Sequence, residues 1–215
     1  MFSLTKDLGL YAQSRHRSSC RWASTWCKKH CYMGKFERLW PSTMGPFLAR
    51  MEQEWKQGPA AHAHELPKTV KRVRLAKSGE VLGTIQDIDK VAEFCHVMAA
   101  RGIEVWIPTR AWHNELEHRL NLDLIQHIEN RLATIPGVHV QASIDVDMNA
   151  GLIRQIVNRG WSTMYVGSDT WHPLSNRGHH VVKCKKTFGG VKGACATCKT
   201  GCFSGVQTHV WLKKH

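Results

Sequence analysis

The stretch that decides the fold runs from Val70–Leu75 (VKRVRL) through Ile85–Arg101 (IQDIDKVAEFCHVMAAR) to Thr163–Val166 (TMYV), and strand-like and helix-like patterns alternate along it. In Ile85–Arg101 the apolar residues recur every three or four positions, which is typical of an amphipathic helix, and Gly102 stands where a helix C-cap is expected. Strands that alternate with helices normally pair in parallel through helical crossovers. The stretch therefore predicts an α/β protein with a parallel sheet.

The other elements of this pattern are assigned in the same way. Further strands are predicted at Glu104–Pro108 and Val138–Ile144, and further helices at Phe47–Trp55, Leu116–Thr134 and Ala150–Arg159. Four strands are too few to close an eight-stranded barrel. We therefore expect an open, partial TIM-barrel-like sheet.

Three zones divide the chain. Residues 1–67 read as an irregular N-terminal segment that carries cysteines, 68–166 as the partial β/α barrel, and 167–215 as an irregular cysteine-rich tail. The tail is rich in Gly, Lys, His and Cys and shows no periodicity. Such a segment buries too little apolar surface to fold unaided, so a bound metal centre would organise it. We expect all three zones to form one compact unit.

Composition narrows the class of protein. With 215 residues, 42% hydrophobic and 22% charged, the chain is expected to build one substantial core. No stretch resembles a signal peptide or approaches the roughly 20 apolar residues that span a bilayer. We therefore expect a cytoplasmic protein with no membrane partner. Cytosolic thiols stay reduced, so eight cysteines indicate metal or redox chemistry rather than disulfides.

The chain is strongly basic, with 30 Lys and Arg against 17 Asp and Glu and a formal net charge of +13. A surplus of this size suggests an anionic partner, such as nucleic acid or a nucleotide phosphate. Many of the cations flank cysteines, however, as in Lys28-Lys29-His30 and Lys183–Lys186. Cations in such positions would stabilise thiolates and an anionic cluster. The net charge alone does not decide between an anionic partner and a role in stabilising thiolates and an anionic cluster.

Seven of the eight cysteines fall into two groups. The first group is Cys20, Cys27 and Cys31; the second group is Cys184, Cys195, Cys198 and Cys202. Three thiolates can hold three corners of a [4Fe-4S] cluster and leave the fourth iron to another ligand. Four thiolates suit either a fully ligated cluster or a structural zinc ion, and their spacing does not decide between the two. The eighth, Cys95, lies in a helical pattern and is predicted to be a buried small hydrophobe.

A resemblance to a known protein family begins at the first cysteine group and extends along the chain. The run Cys20–Tyr32 (CRWASTWCKKHCY) resembles the signature of the phage "gene product 88" family and, through it, the radical S-adenosylmethionine (SAM) superfamily. The superfamily's usual spacing, Cys-x3-Cys-x2-Cys, is tighter than the one found in this chain. Val73–Glu80 (VRLAKSGE), Trp106–Trp112 (WIPTRAW) and Ala142–Asp147 (ASIDVD) resemble further family motifs in the same order, and the cysteines of the tail are similar to the family's tail.

The resemblance implies a partial barrel of the radical SAM type, with the first cluster at the carboxyl ends of its strands and a second cluster in the tail. It also implies a phage protein in the host cytoplasm and, near Ser78-Gly79-Glu80, a place for the methionyl amine of SAM. Open α/β sheets bind ligands at that same edge on general grounds. The residues that we expect to bind a small-molecule ligand there are Ser78, Gly79, Glu80, Thr109, Arg110, Ser143 and Asp145.

Three functions remain open from the sequence. The chain could be a redox enzyme related to radical SAM proteins, with SAM or another small ligand at the open iron. It could be an electron-carrying or structural iron–sulfur protein served by an electron donor, or a zinc-stabilised protein that binds nucleic acid. The candidates for the fourth ligand of the first cluster are His113, His172, His179 and His180.

Overall fold

A single sheet of eight strands organises the chain. The computed structural model describes residues 1–6, 8–175, 178–198 and 201–213. The strands within these ranges are β1 (Phe2–Thr5), β2 (Leu10–Gln13), β3 (Arg72–Arg74), β4 (Glu104–Thr109), β5 (His113–Asn114), β6 (Arg119–Leu120), β7 (Val138–Asp145), β8 (Ser162–Val166), β9 (Val181–Lys183) and β10 (His209–Leu212). The large sheet has the order β1-β2-β3-β4-β7-β8-β10-β9, and β5 and β6 form a separate hairpin.

The sheet is parallel except at one edge. Strand β1 pairs with β2 in the antiparallel sense, and every other neighbouring pair in the large sheet is parallel. The register runs across the centre through Val73↔Val105, Ile107↔Val140 and Ala142↔Thr163. The prediction of an α/β protein with a parallel sheet is confirmed. Because the strands run in parallel, the loops that follow β2, β3, β4 and β7 lie together at the carboxyl ends of the strands.

The helices connect the strands and flank the sheet. They are α1 (Thr25–Lys29), α2 (Tyr32–Leu39), α3 (Pro41–Gln57), α4 (Ile85–Ala100), α5 (Leu122–Leu132), α6 (Ala150–Asn158), α7 (Lys185–Gly189) and α8 (Ala194–Thr197), with 3-10 turns at Arg17–Ser19 and Pro59–Glu65. None of the helices in the described ranges is both long and apolar enough to cross a membrane.

The two faces of the sheet pack against different parts of the chain. On one face, Val73, Val105 and Ile144 belong to the main core, which also takes in the apolar sides of α4, α5 and α6. Cys95 is fully buried in this core, as predicted. On the opposite face, Trp106 belongs to a smaller cluster that packs against Phe203 of the tail. Alternation of side chains along each strand produces this division, and the tail covers the face that the helices leave open.

Two expectations about secondary structure are wrong. Segments 1–67 and 167–215 are not irregular, because each adds two strands to the sheet, β1 and β2 from the first and β9 and β10 from the second. The helix predicted at Leu116–Thr134 begins only at Leu122, since residues 113–120 form the β5–β6 hairpin and Leu116 is 91% exposed. The helix predicted at Phe47–Trp55 is the centre of the longer α3, which starts with Pro41 at its first position.

Candidate functional site

The segment that leads into the first cysteine group is held by the turn that follows β3. The backbone N–H of Arg15 donates to the carbonyl of Ser78 (2.8 Å), and the Ser78 hydroxyl donates to the carbonyl of Arg15 (3.2 Å). The backbone N–H of Glu80 donates to Oγ of Ser19 (2.8 Å). The Ser78–Glu80 turn therefore fixes the chain immediately before Cys20.

Gly79 lies where this turn and the Arg15–Ser19 segment come closest. Its φ is +73°, and a Cβ at this position would stand 2.6 Å from Cβ of Arg15 and 2.8 Å from Oγ of Ser19. Only glycine combines this backbone conformation with so close an approach.

We expect Gly79→Ala to lower the free energy of unfolding by about 1–3 kcal/mol, since the added methyl group strains the backbone and pushes the two segments apart. Chemical denaturation measures this loss. Gly205→Ala is the matched control, because a Cβ there meets no atom within 4 Å. Equal stability of the two variants would contradict the close packing at Gly79.

Glu80 joins the turn to the end of β4. Its Oε1 accepts hydrogen bonds from the backbone N–H groups of Val81 and Leu82 and from the Thr109 hydroxyl, all at 2.9 Å. Its Oε2 accepts from the backbone N–H of Arg110 at 2.8 Å. Burial raises the pKa of Glu80, and the four donors act against that rise by favouring the charged form. Both oxygens of this carboxylate are thus occupied by the protein itself.

Arg110 and Asp145 form a buried ion pair beside the first cysteine group. Nη1 of Arg110 lies 2.6 Å from Oδ2 of Asp145, whose side chain is fully buried. The same carboxylate oxygen accepts from the Ser24 hydroxyl, and Oγ of Ser24 accepts from the backbone N–H of Cys27 (3.0 Å) as the N-cap of α1. Burial raises the pKa of Cys27, while the charge and hydrogen bond of Arg110 act to lower it. The end of β7 is therefore connected to Cys27 through Ser24 and Arg110.

The three thiols of the first group lie near one another. Cys20, Cys27 and Cys31 form no disulfide and are partly buried. Burial, together with the smaller effects of negative charge on Glu80, Cys27 and Cys31, raises the pKa of Cys20 to about 12. These mutual effects place the three thiols and Glu80 in one region at the carboxyl ends of the strands.

The remaining predicted ligand-binding residue is Ser143. It is buried, and its carbonyl accepts from Nε1 of Trp112 (3.1 Å). It lies two positions before Asp145 in β7, so both side chains point to the same face of the sheet. Direct contacts around the thiols of the first group therefore join six of the seven predicted residues: Ser78, Gly79, Glu80, Thr109, Arg110 and Asp145. Ser143 lies two residues before Asp145 and so further from the carboxyl end of β7.

The four cysteines of the tail line a single cavity. Its walls also include Lys183, Lys186, Phe203 and Val210. Burial raises the pKa of Cys195 to about 11 and that of Cys202 further, and the thiols raise each other's pKa. The sequence grouping of these cysteines thus corresponds to a grouping in space.

Arg72 attaches this cavity to the sheet. Its Nη1 donates to the carbonyls of Cys198 (2.6 Å) and Cys195 (3.2 Å), and its Nε donates to Glu104 (2.6 Å). The guanidinium also stands 4.6 Å from the ring of Phe203. The tail cysteines are therefore held against the middle of the sheet.

Within the ranges that the structure describes, no three His, Cys, Asp or Glu side chains are grouped so as to hold one metal ion. An iron–sulfur cluster is larger than a single ion, because sulfides lie between its irons, and its thiolate ligands stand further apart.

Of the histidines considered as a fourth ligand, His113 has a partner for each ring nitrogen, whereas Nε2 of His172 is buried and has no hydrogen-bond partner in the described part of the chain. Nδ1 of His113 lies 3.1 Å from the carbonyl of Arg110, and its Nε2 lies 3.2 Å from Glu115. The ring of His179 is 5.2 Å from that of His209, at the amino-terminal end of β10 and so opposite to the edge with the first cysteines. His180 directly follows His179, and the ring of His172 is 5.8 Å from that of Trp211 in β10. The fourth ligand of the first group stays unassigned.

Burial, together with the smaller effect of the charges of neighbouring histidines, lowers the pKa values of His172 and His209 to about 4. The unfolded chain binds these protons near pH 6.5, so protonation favours unfolding between pH 6.5 and 4. We expect each of these two histidines to lower the free energy of unfolding by roughly 3 kcal/mol across this window, because one pKa unit corresponds to about 1.4 kcal/mol. His172→Gln should flatten the profile, and His96→Gln, at an exposed position of α4, should leave it unchanged. Identical profiles for all three proteins would contradict a buried neutral His172.

Comparisons with known proteins add no identity. No family model, no curated protein and no solved structure matches the chain. The likeness to the "gene product 88" family therefore rests on the residues quoted above.

Sequence reasoning missed several residues that build these sites. The role of Ser24 could have been predicted from the sequence, because a serine three positions before Cys27 fits a helix N-cap. The shared position of Arg72 and Arg74 could also have been predicted, because their alternation with Val73 places both on the same face of β3. The contacts of Arg15 and Ser19 join segments about 60 residues apart in the chain, and no local pattern indicates them.

Proposed function

We propose that this chain is an iron–sulfur protein that holds two [4Fe-4S] clusters, one on the N-terminal cysteines and one on the tail cysteines, and that it transfers electrons. The observation that carries the proposal is the presence of two separate sets of thiols, one beside the partly buried Arg110 and one lining a single cavity next to the partly buried Arg72. All-thiolate sets are the usual ligands of such clusters. The donor sets therefore fit the cofactor.

The two sets differ in what they offer. Cys184, Cys195, Cys198 and Cys202 line one cavity and supply four ligands, which suits a fully ligated cluster. The N-terminal set supplies three, which leaves one iron for another ligand at the edge where the strands end. A bound cluster supplies one-electron transfer at each place.

The surrounding residues orient the thiols and balance their charge. Ser24 caps α1 and so fixes the start of the helix that carries Cys27. Asp145 holds the guanidinium of Arg110 beside the same thiol. Glu80 fixes the backbone of Arg110, which keeps the end of β4 in place. Positive charge next to thiolates favours their ionised, ligand-competent form.

A second candidate function is a radical-SAM-like enzyme on a partial barrel. It is favoured by the position of Ser78–Glu80, Thr109 and Arg110 at the carboxyl ends of parallel strands, next to three thiols. The four internal donors on Glu80 act against it, because Oε1 already accepts three hydrogen bonds and an ammonium group of SAM would have to share Oε2 with the backbone N–H of Arg110. Electron transfer is therefore the first proposal, with the chain in the cytoplasm of a phage-infected cell and an electron donor as partner.

Purification without oxygen tests the first proposal. Two clusters require roughly eight irons and eight acid-labile sulfides per chain, and a brown colour. A colourless protein with stoichiometric zinc would contradict it and favour the third function, a basic protein that binds nucleic acid.

To test the enzyme, the reduced protein is mixed with SAM, and 5′-deoxyadenosine is measured. Formation above background would establish the second candidate. None above background, in a protein with full iron content, would leave electron transfer as the function.

A further inference from the structure

Arg74 is a partly buried cation with few partners. Its Nε is inaccessible to water and has no hydrogen-bond partner, and Nη2 makes one long contact of 3.5 Å with the carbonyl of Ala76. Its guanidinium stands 4.6 Å from the ring of Trp106. In the part of the chain that the structure describes, no carboxylate lies within ion-pair distance of Arg74, unlike Arg72, which pairs with Glu104.

An arrangement of this kind is costly without an anion. Removing a charge from water costs more free energy than a single cation–π contact returns. Arginine cannot escape the penalty by losing its proton in the way that a buried lysine can. The fold therefore implies a negative group close to this guanidinium.

The groups near Arg74 that can carry negative charge are the tail thiols and one phenol. Trp106, which lies under the guanidinium, packs in the same small cluster as Phe203, Cys195 and Cys202. Burial lowers the pKa of Arg74, while negative charge on Tyr32 and on the thiols of Cys202, Cys195 and Cys184 acts against that change. The hydroxyl of Tyr32 donates to the carbonyl of Lys77 (2.8 Å), so this phenol stays neutral and the thiols are the remaining source of charge.

We propose that Arg74 is the internal counter-ion of the anionic cofactor held by Cys184, Cys195, Cys198 and Cys202. This inference rests on the proposed iron–sulfur function and assigns Arg74 as a positioning and tuning residue. A fixed positive charge favours the reduced, more negative state of a cluster, so it raises the reduction potential of that cluster. Tyr32 directly follows Cys31 in the chain, so Arg74 also lies between the two cysteine groups.

The test compares Arg74→Met and Arg74→Gln, which remove the charge, with Arg74→Lys, whose ammonium group keeps its proton when an anion lies next to it. Arg50→Gln is the matched control, because it removes one positive charge from an exposed position of α3. Iron, labile sulfide and the two reduction potentials are measured in the full chain purified without oxygen. The same titration in Cys27→Ala assigns the tail cluster.

For the neutral variants we expect one of two results: the tail cluster is lost, or its affinity for an electron falls at least tenfold. A tenfold change for one electron corresponds to 59 mV toward more negative potential. Arg74→Lys and Arg50→Gln should retain the iron, and their potentials should stay close to that of the unaltered protein.

Each other outcome has a definite meaning. Neutral variants with full iron and unchanged potentials would overturn the role of Arg74 and leave the proposed function intact. If Arg74→Lys fails to fold along with the neutral variants, Arg74 acts by packing on Trp106, and the inference is again overturned. Neutral variants that fail to fold while Arg74→Lys folds with full iron support it. Absence of iron and sulfide from the unaltered chain would instead overturn the proposed function itself.

Discussion

Replacing Cys27 with alanine is expected to remove about half of the iron and half of the acid-labile sulfide, while the tail centre stays loaded. The N-terminal set has only three thiols, so the loss of one leaves two ligands for a cluster that needs at least three from the protein. The tail cysteines lie in a separate cavity that Cys27 does not line. Metal analysis and labile-sulfide determination on oxygen-free protein measure the result.

The complementary variant is Cys202→Ala, which should spare the N-terminal cluster and remove the tail cluster. Cys95→Ala is the matched control for both, because this thiol is fully buried inside α4 and is expected to keep all of the iron. A Cys27→Ala protein that loses all of its iron would show that the two groups depend on each other. If it keeps all of its iron, Cys27 is not a ligand.

The tail should remain attached to the sheet in Cys202→Ala. Residues 167–215 looked unable to fold without a metal centre, but β10 pairs with both β8 and β9, and Arg72 donates to two carbonyls of the tail. We therefore expect increased proteolysis between about residues 184 and 203 rather than release of the whole segment. This result would separate the part of the tail that depends on the cofactor from the part that the sheet secures.

Local patterns in the sequence were sufficient for the central part of the fold. The alternation from Val70 to Val166 predicted β3, β4, β7 and β8 with their helices, because each helix there carries several apolar turns that bury against the sheet. Strand ends could be located for the same reason, and Glu80, Arg110 and Asp145 were expected at one edge before any contact was known. Parallel pairing makes that inference reliable.

The edges of the sheet could not be predicted in this way. Strands β1, β2, β9 and β10 have only three or four residues each, too few for a periodic pattern to stand out, and their pairing joins distant parts of the chain. The insertion of β10 between β8 and β9 is set by tertiary packing. The hydrogen bonding of Glu80 could not be predicted either, because a sequence does not show that four hydrogen-bond donors surround one carboxylate.

Glu80→Ala is expected to lower the free energy of unfolding by at least about 3 kcal/mol, because each buried donor left without its acceptor costs about 1–3 kcal/mol. The substitution removes the acceptor of four donors at once, from Val81, Leu82, Thr109 and Arg110. Some donors will find water, so the sum is smaller than four full penalties. Glu80→Gln keeps one carbonyl oxygen and should lie between the alanine variant and the unaltered protein.

This result distinguishes a structural carboxylate from one reserved for a ligand. Denaturant titration in the absence of SAM measures stability, and Glu93→Ala, on the exposed side of α4, should change it by no more than about 0.5 kcal/mol. If Glu80 served mainly to bind an ammonium group, its loss would leave the ligand-free protein as stable as that control. If it holds β3 and β4 together as the contacts indicate, the ligand-free protein becomes unstable, and the N-terminal cluster is lost with it because Arg110 no longer has a fixed backbone.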